Sequence, residues 1–353
     1  MKKWLSMTRR GVLQSCLLAP ALASARPLRA GDQVTVFPTL VHRLPDGALR
    51  MRIDAWVFER ERNTKRTRLL AHALGLDLDE LSADDRDRFV QRASLFGADV
   101  KPGRNLSLRL RPGASLALPA SDAQGRIRAT VPLLDAPSVG QWIDWTLVSG
   151  TRRVPGRAQW IGDEGLCIVS DIDDTIKHTL VRQRREMLKN TFAREFTAVP
   201  GMAAWYQRIA ASDPGLAFHY LSGAPLQLMP PLADFLRGAA FPEGSVHLRA
   251  FSFNPSALLD ADATSRHKQA EIAQLLADHP RRRFVLVGDS GERDPETFGS
   301  VLRNHPTRIA AVLIRDVTGE GADAERYRLA FDGVAPERWR LFTDPAALPL
   351  RWG

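Results

Sequence analysis

Two rhythms of apolar and polar positions divide the chain near Pro155. Before it, short β-prone runs recur at residues 34–37, 49–58, 106–110, 114–118, 126–131 and 143–148. Several alternate, and Gly, Pro and Asp separate them. Residues 69–76 and 84–95 read as helices set among them, the second opening on acidic residues. The pattern predicts a β-rich, antiparallel, sandwich-like domain with inserted helices over residues 26–155. No catalytic constellation stands out in it, and it reads as a packing or docking module.

After Pro155 the apolar runs become continuous and alternate with helical stretches. Strands are predicted at 166–170, 216–221, 246–250, 284–287 and 309–314. Helices are predicted at 182–196, 202–211, 226–235, 268–276 and 295–303. Strands apolar on both faces and alternating with helices predict an α/β domain, a doubly wound parallel sheet, over residues 160–353. Such sheets bind ligands beyond the carboxyl ends of their strands.

The polar residues fall at those ends. The first strand runs into Asp171-Ile172-Asp173-Asp174-Thr175, the second into Ser222-Gly223, and the fourth into Gly288-Asp289-Ser290-Gly291-Glu292-Arg293-Asp294. Lys268 is placed at the start of the helix between the third and fourth strands. Any one of these carboxylates alone could be a turn or cap residue. Together, and in this order, they resemble the haloacid dehalogenase superfamily, which carries Asp-x-Asp-x-Thr, then Ser or Thr, then Lys, then a Gly-Asp acidic motif. A closer resemblance is to the actin-patch-protein type phosphatidate phosphatases and their bacterial relatives. It is carried by residues 170–175, 218–225, 267–268, 284–296 and 314–317, within a stretch of roughly 165–320. Ala224, Leu226, Met229 and the Thr297-Phe298 pair depart from that pattern and flank the site, so they bear on lipid specificity rather than on the chemistry.

The resemblance implies a chemistry. A phosphomonoester dianion repels an anionic nucleophile, so the site needs positive charge, supplied by Mg²⁺ on oxygen ligands. By resemblance the Asp171 carboxylate, the Asp173 backbone carbonyl and Asp289 bind the metal, and Asp294 assists, directly or through water. Asp171 attacks phosphorus to give an aspartyl-phosphate, and Asp173 serves as acid and then base. Ser222 and Lys268 hold phosphoryl oxygens, and Thr175 buttresses the loop. Asp174 and Glu292 fit either a supporting or a structural place. His178, His219 and His267 are assigned no metal, and His219 is expected to pack within its strand. The cations Lys177, His178, Arg182, Arg184, Arg185 and Lys189 read as a solvated helix face, and Arg281 to Arg283 as solvated. About 46 residues separate Thr175 from Ser222, room for a modest lid only. The open site suits bulky substrates.

Composition adds an address more than a partner. The chain has 353 residues, enough for two domains, with 44% hydrophobic and 25% charged residues, a globular balance. Its formal charge of +9 owes four positives to Lys2, Lys3, Arg9 and Arg10; without residues 1–25, 45 Lys and Arg face 40 Asp and Glu, a net +5. Such a mild excess predicts no nucleic-acid partner. The basic start, the apolar residues 11–25 and Ala23-Ser24-Ala25 read as a signal peptide over 1–25, of the Sec or twin-arginine kind, with periplasmic export. Cys16 leaves with it, and Cys167 then has no partner and reads as inert core. The expected function is a Mg²⁺-dependent phosphatase acting on phosphatidate or a related phosphorylated lipid, with peripheral membrane contact. The alternatives are a general phosphomonoesterase outside the cytoplasm and a non-catalytic binding protein with a vestigial phosphatase fold.

Overall fold

The computed structural model describes residues 26–60, 63–111, 114–250 and 260–352. The signal peptide read at 1–25 lies outside the described residues. Among the described residues no helix is long and apolar enough to cross a membrane.

The first half is built on one long strand. The elements are β1 (Gln33–Val36), β2 (Thr39–Arg43), β3 (Leu49–Glu59), α1 (Thr64–Leu74), α2 (Ala83–Phe96), β4 (Asp99–Val100), β5 (Ser107–Arg111), β6 (Ala114–Ala117), β7 (Arg126–Leu133), β8 (Trp142–Ser149) and β9 (Arg152–Trp160). β3 pairs antiparallel with β1 and β2, and also with β7 and β4. Its side chains alternate between faces, as a pleated strand requires. Leu49, Met51, Ile53, Ala55 and Val57 enter the sheet's own core, whereas Trp56 and Phe58 enter a second core together with α1, α2 and the rest of the chain.

This sheet corrects the antiparallel, sandwich-like expectation. It is a single mixed sheet in the order β1-β3-β2-β9-β8-β5-β6, because β2 and β9 pair in parallel through Thr39–Ala158 and Val41–Trp160. The sequence pattern hides β9, since Pro155 interrupts it. Pro155 lies outside the segment paired with β2, where a missing N–H is tolerated.

The second half is a six-stranded parallel sheet. Its elements are β10 (Glu164–Asp171), α3 (Arg184–Phe192), α4 (Met202–Ser212), β11 (Ala217–Pro225), α5 (Met229–Gly238), β12 (Ser245–Arg249), α6 (Ala261–Asp278), β13 (Arg281–Asp289), α7 (Asp294–Asn304), β14 (Ile309–Arg315), α8 (Glu325–Ala330) and β15 (Trp339–Phe342). The order is β12-β11-β10-β13-β14-β15, every pair parallel. The chain therefore steps outward from β10 in one direction, then returns to β13 and steps outward in the other. That reversal makes the gap beyond β10 and β13 the switch point where α/β sheets bind ligands. Asp171 and Asp289 end those two strands.

α6 starts earlier than the sequence suggested. Asp260 caps it by accepting from the Ala263 N–H at 2.8 Å, so Lys268 stands well inside the helix rather than at its start. There it shares the buried face with Thr264, Ile272 and Leu275, at helical spacing. Arg282 is likewise not solvated. It is fully buried, and its guanidinium donates to the carbonyls of Leu166 (2.7 Å), Gly215 (2.5 Å), Glu164 (2.5 Å) and Ile161. Gly165 faces it with φ +119, a conformation that favours glycine, and a Cβ there would press on the guanidinium at 3.0 Å.

Candidate active site

The loop after β10 is organised by Asp174. Its carboxylate accepts from the N–H groups of Thr179, Leu180 and Val181 at 2.7 to 2.8 Å, and its carbonyl accepts from Arg315 Nη1 at 2.7 Å. Asp174 itself adopts φ +54, a conformation that Asp tolerates better than most residues. It is a loop-shaping residue.

Two charge clusters meet on this frame. In the first, Lys268 is 1% exposed and its ammonium lies 2.7 Å from Asp171 Oδ1, 2.5 Å from Asp294 Oδ1 and 3.1 Å from Glu292 Oε2. The contact with Asp171 is ionic and lacks hydrogen-bond geometry. Thr175 Oγ1 donates to Asp171 Oδ2 at 2.9 Å. Asp289 Oδ1 accepts from the Gly291 N–H at 2.6 Å, while Asp289 Oδ2 is buried with no partner. Asp171, Asp289 and Asp294 each present an oxygen within 4.8 Å of the others. A Cβ on Gly288 would come within 2.3 Å of Asp294 Oδ2, so only glycine lets that carboxylate close on the strand end.

In the second cluster Asp173 takes a different set of partners. Its carboxylate takes Lys177 Nζ at 2.9 Å, Thr179 Oγ1 at 2.8 Å and Ser222 Oγ at 2.8 Å. The structure thus brings Asp171, Lys268, Asp289 and Asp294 together and holds Ser222 against Asp173 beside them. Lys177 was expected on a solvated helix face. It precedes α3 and is only 2% exposed, so it is part of the site. Its spacing, four residues beyond Asp173, was the one available signal. Thr179 and Glu292 complete the clusters; His219 is buried in β11 and bonds Ser245.

The electrostatics of the two clusters are opposite. Burial raises the Asp171 carboxyl well above its ordinary range; Lys268 counteracts this, while Asp294, Glu292 and Asp289 raise it further. Asp289 is raised well above its ordinary range by burial and by Asp294 and Glu292. Four carboxyls face one ammonium, an excess of three negative charges if all ionise. A divalent cation on the unpartnered oxygen of Asp289 and its neighbours offsets that excess, so the residues present fit a hard metal ion with oxygen ligands. Burial also opposes ionisation of Asp173, but Lys177 and the hydrogen bonds from Thr179 and Ser222 outweigh it and hold the carboxyl below its ordinary value.

A cavity of about 150 Å³ opens beside Lys268, Glu292 and Asp294, with Val181, Met187 and Thr264 in its wall. A larger one of about 790 Å³, between α2 and α5, is lined by none of these groups. The chemistry therefore locates the site better than cavity size does.

Residues 166–316 match the family model described as phosphatidate phosphatase APP1, catalytic domain. That stretch contains Asp171, Asp173, Thr175, Ser222, Lys268, Asp289 and Asp294. Phosphatidate phosphatase APP1 of Saccharomyces cerevisiae is 34% identical over 170 residues, covering 47% of this chain and 28% of that protein. An uncharacterized protein of Schizosaccharomyces pombe is 28% identical over 160 residues, covering 44% of this chain and 26% of its own. The similarity thus spans little more than a quarter of either relative. Among solved structures, a sialyltransferase from Photobacterium damsela aligns over 65% of this chain and 45% of its own at 13% identity with a TM-score of 0.23, which carries no argument.

Proposed function

We propose that the chain is a phosphoric monoester hydrolase of haloacid-dehalogenase-like fold, Mg²⁺-dependent, acting on phosphatidate or a related phosphorylated lipid. The observation that carries this is the buried group of Asp171, Asp289 and Asp294 at the switch point, with Lys268 locked among them. The similarity of residues 166–316 to a phosphatidate phosphatase catalytic domain supports the substrate class. The basic and apolar leader at residues 1–25 supports action outside the cytoplasm, in the periplasm.

In this scheme Asp171, the Asp173 backbone carbonyl, Asp289 and Asp294 hold Mg²⁺, which supplies positive charge against the phosphate dianion. Asp171 attacks phosphorus while the ester P–O bond breaks and the alcohol leaves, and Asp171 becomes the aspartyl-phosphate. Lys268 steadies phosphoryl oxygens as charge shifts onto them. Ser222 reaches the same space once it releases Asp173. Asp173, kept ionised by Lys177, is suited to take the proton of the water that hydrolyses the intermediate. Protonating the leaving group in the first step requires its pairing with Lys177 to loosen.

The test is phosphate release by the purified protein from phosphatidate in mixed micelles and from a soluble aryl phosphate. Each substrate is offered with Mg²⁺, with chelator, and to Asp171→Asn. Activity that chelator and the variant both abolish is expected, with phosphatidate preferred. Activity indifferent to both would overturn the mechanism, and activity on the soluble ester alone would favour a general phosphomonoesterase.

A further inference from the structure

Beside the site mouth, one residue is placed against both backbone and solvent preference. Leu180 adopts φ +60, a conformation that Asn or Gly takes readily and a bulky apolar residue does not. It is also 38% exposed. The loop is pinned there from several sides. The Thr179, Leu180 and Val181 N–H groups donate to the Asp174 carboxylate, Asn190 Nδ2 donates to the Thr179 carbonyl at 3.0 Å, and the Gln183 N–H donates to the Leu180 carbonyl at 2.9 Å. The part of Leu180 left in water gains nothing from folding, and such backbone strain concentrates where a surface is used.

Its neighbours say what that surface meets. Arg182 and Arg184 follow directly, both exposed, and neither takes an acidic partner among the described residues. Arg185, by contrast, is paired with Glu80. Val181 and Met187 line the cavity that holds Lys268, Glu292 and Asp294. An apolar side chain, two guanidiniums without an acidic partner among the described residues, and part of the cavity wall therefore share this loop and the first turn of α3. Guanidiniums bind phosphate oxygens in a forked geometry, and a leucine gains by leaving water.

We propose that residues 180–184 are an interfacial anchor for an anionic lipid surface. Leu180 enters the headgroup region, Arg182 and Arg184 engage lipid phosphates, and the cavity mouth faces the layer that holds the substrate. This rests on the lipid-phosphatase reading above. One apolar side chain and two cations make a weak, reversible, salt-sensitive attachment.

Co-sedimentation of the purified protein with vesicles tests it. Neutral vesicles are phosphatidylcholine alone; anionic ones add phosphatidylglycerol, a phosphodiester that offers no monoester to hydrolyse. The wild type is expected to bind the anionic vesicles only, less as salt is raised. Leu180→Asn, which keeps the backbone conformation, is expected to lose roughly tenfold in partitioning. Arg182→Gln and Arg184→Gln are expected to lose roughly fivefold each. All three should hydrolyse the soluble aryl phosphate as the wild type does, while KM for vesicle-borne phosphatidate rises. Absence of wild-type binding, or equal binding by wild type and variants, overturns the anchor even if the soluble ester is hydrolysed. Variant-sensitive binding by a protein that hydrolyses neither substrate supports the anchor and removes the phosphatase reading instead.

Discussion

Lys177 Nζ lies 2.9 Å from Asp173 Oδ1, and the lysine is almost wholly buried to make that contact. Lys177→Met leaves the Asp173 charge without its counterion, and breaking a buried pair from one side costs about 3–5 kcal/mol. Denaturant unfolding should show that loss, with turnover reduced. Adding Asp173→Asn should recover most of the stability but none of the activity. A Lys177→Met protein as stable as the wild type would show the pair to be incidental.

The acidic cluster around Lys268 carries the opposite imbalance. In chelator, Asp171→Asn should raise the melting temperature, because it removes one of four crowded carboxyls, and one whose own ionisation burial already opposes. Lys268→Met should lower stability by about 3–5 kcal/mol. Mg²⁺ should stabilise the wild type more than Asp171→Asn, measured as the shift in thermal midpoint on adding the ion. Equal shifts in both proteins would place the ion elsewhere.

His279 gives the fold an acid limit. Burial, with Arg282, His42, Arg52 and Arg308 nearby, lowers its pKa from 6.5 to about 3. The unfolded chain therefore binds a proton below about pH 6.5 that the native state refuses, so this contribution to stability falls as pH drops from 6.5 toward 3. Each pH unit in that window costs about 1.4 kcal/mol. Unfolding midpoints across the range should fall more steeply for the wild type than for His279→Gln. Parallel slopes would refute the assignment.

Arg282 joins carbonyls from three places in the chain, after β9, within β10 and before β11. Arg282→Met strands buried acceptors, each costing about 1–3 kcal/mol, and should unfold the protein at much lower denaturant. Arg282→Lys should recover only part of the loss, since an ammonium cannot reproduce the fork. Full rescue by lysine would mean that charge alone matters.

The alternating second half and its polar strand ends were legible from the sequence because both are local: apolar runs make strands, and Asp171, Ser222 and Asp289 sit at or near their ends. β9 was not legible, because Pro155 breaks its β-prone run; its pairing with the adjacent β8 is local, but the parallel pairing with β2 joins segments far apart in sequence. Lys177 and Arg282 were misread for a related reason. Their burial depends on which carboxylate or carbonyls the fold places opposite them, and nothing in a run of basic residues states that. The start of α6 was missed because the apolar spacing begins after its cap. That Ser222 Oγ donates to Asp173 was not legible either, because the two residues lie 49 positions apart.

Trp56 and Phe58 share a core with Ile168, Ile172 and Val285, so the pleat of β3 serves two masters. The motif-bearing stretch is consequently not a transplantable cassette. Grafted alone onto another scaffold, it would bring every reactive side chain and leave bare the wall that Phe37, Trp56, Phe58 and the helical pair α1 and α2 provide. The two halves should melt together, and a change as remote as Trp56→Ala should loosen the seat of Asp171 without touching it.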